Sequence, residues 1–231
     1  MKKIIPTIIA IILILLIGGG IVATMNIEKY SYTKEKQDLN QYYGLTAADD
    51  VAIVLQNEKI GTKAKLIEGK VYLDFDSVSE LLNDRFYVDS NENWFIYTTP
   101  DEIIKSQLGS STYFIGNGES DFGQPVTVLK DGVIYVSLDY VGKFTKFDYT
   151  LFNDPARIQL DTKWEEQTVA TVNKDNAVRL KGGVKSPILR DVSKGEQVII
   201  LDKMETWTKV NTDDSLMGYI ENKYLENENQ I

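Results

Sequence analysis

Residues 69–78, GKVYLDFDSV, recur as GVIYVSLDYV at residues 132–141, an offset of 63 that lays Gly69 on Gly132, Tyr72 on Tyr135, Asp76 on Asp139 and Val78 on Val141. An internal repeat decides the architecture before any single element is read. At the same offset Trp94-Phe95-Ile96-Tyr97 falls on Arg157-Ile158-Gln159-Leu160, so each copy closes on a short alternating run. Two copies of one supersecondary unit therefore make up residues 47–163.

Each copy has readable physics. VYLDF and VIYVSL are β-branched and aromatic with a period of two after a glycine turn, which predicts strands. The stretch after each is helical. In the first copy Asp76 is expected to cap, Ser77-Val78-Ser79-Glu80 reads as a capping box, and Val78, Leu81 and Leu82 form an apolar stripe. In the second, Asp139 is expected to start a turn holding Tyr140, Val141 and Phe144. Two short strands about a polar turn follow in both, RFYV and WFIYTT in one, KFDYTLF and RIQL in the other. The unit is strand, short helix, hairpin, and the fold class is mainly β with an α+β module.

The N-terminus is of another kind. Residues 4–25 carry no charged side chain after Lys2 and Lys3, and a spanning helix needs about 20 apolar residues where a signal-peptide core needs only about 7–15. The expectation is a retained transmembrane helix over 1–25. Ala23 is a possible cleavage position, but no A-x-A pattern accompanies it. The lysine pair places the N-terminus inside, so the protein is expected to be single-pass in the cell membrane with an extracellular C-terminal body. Residues 26–46, polar with four tyrosines, read as a stalk. There Tyr30 and Tyr32 suit either the headgroup level or an ordinary linker.

Charge then divides the body. Residues 26–167 hold 14 basic and 24 acidic side chains, whereas 168–231 hold 9 and 10, so a boundary falls near 167. The acidic balance argues against nucleic acid, which is held by Lys/Arg clusters. With no Cys and no His in 231 residues, disulfides, thiolate or imidazole metal sites and Ser-His-Asp triads are excluded, and no cofactor is expected. Gly116-x-Gly118 lacks the remainder of a nucleotide fingerprint. The carboxylate runs Asp49-Asp50, Asp74/Asp76 and Asp213-Asp214 fall at strand ends or turns, where solvated charge is the ordinary reading, and a catalytic pair would need a pocket and displaced pKa values. No catalytic residue is assigned.

The C-terminal stretch has five or six short apolar runs divided by Gly, Pro and charged turns, which predicts a small β-barrel. Asn176, Val178, Arg179, Gly182, Pro187, Ile188, Gly195, Val198, Trp207, Val210, Gly218, Tyr219, Tyr224 and Leu225 follow in the order of the bacterial SH3 pattern, and residues 164–227 resemble that domain, with 228–231 left as a tail or the start of a linker. Leu180-Lys181-Gly182-Gly183 stands where the pattern has Ser-Gly-Pro. The "gk.Yl....v...L" grammar of 47–163 looks like the copper amine oxidase N-terminal-like domain, a non-catalytic module. Its usual Pro-Leu-Arg is replaced by Leu73-Asp74-Phe75 and Val136-Ser137-Leu138.

The SH3 resemblance implies attachment to cell-wall peptidoglycan. Asn176, Arg179, Tyr219 and Tyr224 are the candidate ligand-binding cleft, with the two tyrosines equally open to a structural role. Trp207, Val210, Val178 and Ile200 read as barrel core, and Gly195 and Gly218 as turn glycines. The order of anchor, repeat and SH3 domain also resembles the front of Gram-positive glycoside hydrolase family 18 proteins. A non-catalytic wall-binding protein is thus the first expectation and the targeting segment of such a hydrolase the second. The third is an extracellular protein-docking or sensor module, using open strand edges of the acidic repeat.

Overall fold

The computed structural model describes residues 31–231, so the expected membrane segment and Tyr30 lie outside the described residues. Among those described, no helix is long and apolar enough to cross a membrane. The chain is mostly strand, with short helices α1 (Leu39–Tyr43), α2 (Phe75–Leu81) and α3 (Leu138–Val141).

The repeat is built around its own pseudo-twofold. Strands β3 (Lys70–Asp74) and β10 (Val133–Ser137) pair antiparallel with Leu73 directly opposite Val136, and these two positions are 63 apart, equivalent in the two copies. Residues Phe95 and Ile158, and likewise Tyr97 and Leu160, are also equivalent, and all four are buried in one core. The two hairpins part company, however. The second, β11 (Asp148–Asn153) and β12 (Ala156–Asp161), joins β1 (Asp50–Leu55), β2 (Glu58–Ile67), β3, β10 and β9 (Thr127–Lys130) in a seven-stranded sheet. The first, β4 (Phe86–Asp89) and β5 (Trp94–Thr98), joins β6 (Ile103–Gln107), β7 (Thr112–Ile115) and β8 (Gly118–Asp121) in a five-stranded one.

The core lies between these sheets, where alternate residues Val51 and Ile53, Val71 and Leu73, and Phe95 and Tyr97 point inward from their strands. Phe86 and Phe95 stack there at 5.2 Å with their planes 4° apart.

The helix starts differ from expectation. The first begins at Phe75, with Asp74 Oδ1 accepting from the Ser77 N–H at 2.9 Å, so Asp76 is inside the helix and the Ser77 box is not used. The second begins at Leu138 under Ser137, again the position 63 beyond the first cap. In both copies the last strand residue supplies the capping oxygen, which aligns strand end and helix start without a loop.

The C-terminal module is a seven-stranded sheet ordered β15 (Ile188–Val192), β14 (Asn176–Arg179), β18 (Met217–Glu221), β17 (Trp207–Asn211), β16 (Gln197–Lys203), β13 (Thr168–Val172) and β19 (Leu225–Gln230). Val172, Val178, Val192, Val198, Val210 and Ile220, one from each of six strands, meet in a single buried cluster. One face converging on one cluster is the geometry of a sheet rolled on itself. Residues 228–231, expected as a tail, are part of this sheet: Gln230 pairs with Thr168, and Gln167 and Ile231 exchange backbone hydrogen bonds.

The modules are fused by a second core. β1 is buried on both faces, Val51 and Ile53 toward the repeat core, Ala52 and Val54 toward Tyr43, Leu216 and Met217. The buried Arg157 guanidinium crosses this seam, donating to the Asp214 carbonyl and carboxylate at 2.8 and 3.0 Å and to the Asp154 and Pro155 carbonyls at 3.0 and 2.9 Å. Tyr43 donates to the Ser215 carbonyl at 2.7 Å and Tyr42 to that of Met217 at 2.8 Å.

Candidate functional site

The described part of the expected stalk is a strap laid on the C-terminal module. The Thr33 and Gln37 N–H groups donate to the Val184 and Ile188 carbonyls, the Ile188 N–H donates to that of Glu35, and Lys36 bridges Ile188 in parallel. Lys36 also pairs with Asp191 at 2.9 Å. Asp38 caps α1 through the Asn40 N–H, Gly44 ends it in the left-handed region at φ +67°, and Tyr43 is driven into the seam between modules. A polar run without periodicity thus becomes ordered because a strand edge supplies its hydrogen bonds.

The strap alters the predicted cleft. Arg179 stands opposite Tyr219 across β14 and β18, so these two share a face. Arg179 is nevertheless only 3% exposed, its guanidinium donating to the carbonyls of Ser186 at 2.8 Å and Thr33 at 3.2 Å, with the Tyr32 ring centroid 5.3 Å away. Burial pulls its pKa down, against the opposing pull of Tyr32, Glu221 and Asp191. Arg179 therefore positions the strap, with its Nε left without a hydrogen-bond partner among the described residues. Asn176 turns its Oδ1 onto the neighbouring Ala177 N–H at 2.8 Å, away from any common cleft. Tyr224 packs against the module core with Lys223 over its ring at 5.0 Å.

What the structure does assemble is a cluster that includes the strap. Tyr32 donates to Glu221 Oε2 at 2.7 Å, and Lys223 reaches the same oxygen at 2.8 Å and the Tyr32 hydroxyl at 3.1 Å. The Glu221 carboxylate raises the Lys223 pKa, and burial followed by the Glu221 bond raises that of Tyr32. The ammonium stays charged and the phenol stays protonated across the neutral range. Beside the cluster is an open cleft of about 270 Å³ lined by Glu205, Thr206, Glu221, Asn222 and Lys223. From the sequence Tyr32 reads only as a headgroup-level or linker tyrosine, and Glu221 and Lys223 do not stand out. The one signal for them was a tyrosine-rich stretch next to a domain whose own aromatic positions are fixed by the barrel.

Other expectations are corrected. Val178 and Val210 are core, but Trp207 and Ile200 are only half-buried, and the Trp207 ring packs beneath Gly182. Gly195 has φ +92° as a turn glycine should. Gly218 instead sits mid-strand, where a Cβ would come within 2.5 Å of the Arg179 carbonyl. It is required by backbone approach. The acidic runs are structural: Asp50 takes Lys65 at 2.7 Å and the Thr46 and Ala47 N–H groups, Asp49 pairs with Lys130, and Asp213 and Asp214 pair with Arg190. Gly116 is the turn of the β7–β8 hairpin. Among the described residues no group of three His, Cys, Asp or Glu side chains is placed to hold a metal ion.

Two family models match the chain, in the order read from the sequence. Residues 54–159 match the copper amine oxidase N-terminal domain and residues 176–226 the bacterial SH3 domain. Both matched families are families of non-catalytic modules. No curated protein matches the chain. A solved structure titled as NlpC1 from Trichomonas vaginalis is similar at 14% identity and a TM-score of 0.25, covering 62% of this chain and 41% of its own, so the chain spans well under two thirds of that neighbour's length.

Proposed function

We propose that the chain is a membrane-tethered, non-catalytic protein of the outer cell surface that holds cell-wall peptidoglycan through its SH3 module. The observation that carries this reading is the bacterial SH3 match over 176–226 on a module displaying a charged and aromatic cluster beside an open cleft. Bacterial SH3 domains commonly bind peptidoglycan. Glu205 and Glu221 offer acceptors to a peptide amine, Lys223 offers a donor to a carboxylate or carbonyl, and Tyr32 supplies an amphipathic ring. The ligand contact set becomes Tyr32, Glu221, Lys223 and Tyr224, with Arg179 holding the strap from beneath.

The strap also sets the reach. Ser31 lies six positions beyond Met25, and a fully extended chain over that offset spans at most roughly 20 Å. With residues 4–25 in the bilayer, the module is held at the membrane face of the wall. The test is cosedimentation of the detergent-solubilised full chain with insoluble peptidoglycan, beside Lys223→Glu. Wild type in the pellet, with affinity about tenfold lower for the variant, supports the reading. Wild type that stays in the supernatant overturns it and moves the weight to protein docking. That alternative is favoured by edge strand β9, where Leu129 is 70% exposed beside a cavity of about 330 Å³.

A further inference from the structure

The pseudo-twofold gives the two copies matching strand edges, and only one of them is covered. Residues 64–67 of β2 correspond, at the offset of 63, to β9 (Thr127–Lys130). The turns that follow share one backbone, with φ of +49° and +77° at Glu68 and Gly69 and of +52° and +78° at Asp131 and Gly132. Two-residue turns of this kind close on a hydrogen-bonded pair, here Ile67 with Lys70 and Lys130 with Val133. Hydrogen-bonded and non-hydrogen-bonded pairs alternate from there. Ala64 and Leu66 in β2, and Thr127 and Leu129 in β9, therefore turn their N–H and C=O groups away from the hairpin partner.

In the first copy β1 takes those groups. Ala64 lies opposite Val51, the Leu66 N–H donates to the Asp49 carbonyl at 2.9 Å, and the Leu66 side chain packs against the core. In the second copy the residues equivalent to 50–52 are 113–115, which run in β7, within the other sheet. The chain meets β9 at its start, where the Val126 N–H donates to the Ser110 carbonyl at 2.8 Å and the Gly109 N–H to Thr127 Oγ1 at 3.0 Å, and then turns away. Past that point β9 is the end of its sheet, and Leu129, the counterpart of Leu66, is exposed. One copy thus displays the kind of strand that the other copy's edge is shaped to take.

The surroundings define its chemistry. Ile67, Tyr72, Pro125 and Val128 wall the cavity beside Leu129, which suits an apolar side chain. The lining includes Glu68 and, among the described residues, no Lys or Arg; Asp131 stands in the turn at the end of β9, and the Lys130 ammonium is engaged by Asp49. With 24 acidic against 14 basic side chains over residues 26–167, two such modules repel each other, which opposes a second copy of this chain and favours a cationic partner.

We propose that β9 is a docking edge for an extended cationic segment of another protein. The segment adds to the sheet antiparallel to β9, as β1 does to β2, with an apolar side chain in the Leu129 cavity and basic side chains toward Glu68 and Asp131. This deepens the protein-docking reading and does not depend on wall attachment.

The test titrates the full chain in detergent with the blocked hexapeptide Lys-Val-Lys-Ile-Lys-Val, beside Glu-Val-Glu-Ile-Glu-Val and Lys-Val-Lys-Pro-Lys-Val. It reads calorimetric affinity and amide hydrogen exchange over residues 127–130. Leu129→Pro removes an N–H that faces away from β10, so the hairpin ladder is kept; Leu129→Lys keeps the backbone and replaces the apolar contact with a like charge. Binding of the first peptide that slows exchange at 127–130, weakens about tenfold in both variants and is unchanged in Lys223→Glu supports the edge. No binding at roughly 1 mM peptide, equal affinity in both variants, or equal binding of the acidic or proline peptide overturns it. A concentration-dependent dimer that slows the same amides without peptide also overturns it, by making a second copy the occupant. Failed peptidoglycan cosedimentation beside intact peptide binding removes the wall reading and leaves this one standing.

Discussion

Arg157→Met is the sharpest probe of how the modules are joined. Arg157 is 2% exposed and donates at 2.8–3.0 Å to three carbonyls and the Asp214 carboxylate, all across or beside the seam. Its guanidinium carbon also lies 5.0 Å from the Phe152 ring centroid and 5.7 Å from that of Tyr43. Methionine keeps much of the apolar stem but leaves three carbonyls without their donors. Asp214 retains Arg190 at 3.0 Å, so the loss falls on the carbonyls and the buried charge pair, and not on an orphaned carboxylate. Each buried carbonyl left without its donor costs about 1–3 kcal/mol, and the three together are a large share of the roughly 5–15 kcal/mol that stabilises a domain. Urea unfolding followed by tyrosine and tryptophan fluorescence should show a lower first midpoint, and the single transition should split as the modules uncouple. A variant within about 1 kcal/mol of wild type, unfolding in one step, would refute the claim that Arg157 couples them.

Gly218→Ala should lower stability by about 1–3 kcal/mol in thermal or urea melts, because its Cβ would lie 2.5 Å from the Arg179 carbonyl and 2.6 Å from Val178 Cγ1. Gly183→Ala, with open space around the added carbon, is the control and should change little. Acid should weaken the repeat module through Asp50. Burial alone would raise this carboxyl, but Lys65 and the Ala47 and Thr46 N–H groups outweigh it and hold its pKa well below the usual range. Stability from Asp50 is then complete above the unfolded value near pH 4 and is lost as pH falls below it. Asp50→Asn should flatten the dependence of melting temperature on pH below about 4, and an unchanged slope would count against this assignment.

The repeat was legible because its period survives in the positions that face one core. Leu73 and Val136, Phe95 and Ile158, and Tyr97 and Leu160 remain apolar in both copies, and the local twofold passes through the first pair. The destination of each hairpin was not legible. WFIYTT and RIQL have similar alternation, yet one pairs with β6 and the other lies parallel to β1, a choice made by tertiary partners. Strands β6 to β8 were hidden by their shortness and by polar positions such as GESD, half of a hairpin edge. Of the candidate cleft, Arg179 and Tyr219 do stand opposite each other. That the strap covers Arg179 was not legible, since no local pattern in SYTKEKQ announces that Ile188 will supply its hydrogen bonds.

The strap, the seam at β1 and strand β19 together decide which experiments can assign function to a module. Cutting the chain near residue 166 would strip Leu216 and Met217 from Ala52, Val54 and Tyr43, exposing an apolar face made to be covered. Such a truncated protein losing wall attachment would report either the missing SH3 module or the collapse of the repeat. Removing residues 31–37 is no cleaner, because it deletes Tyr32 from the surface cluster and uncovers the buried Arg179. Single substitutions at exposed positions avoid this. Lys223 belongs to the SH3 cluster and Trp164 to the linker between the modules, and neither lies in a buried core. If wall attachment falls with Lys223→Glu and is unchanged in Trp164→Ala, attachment belongs to the SH3 cluster. If Trp164→Ala abolishes it as well, the seam transmits between the two surfaces, and Arg157→Met should then relieve that dependence by letting the modules move apart.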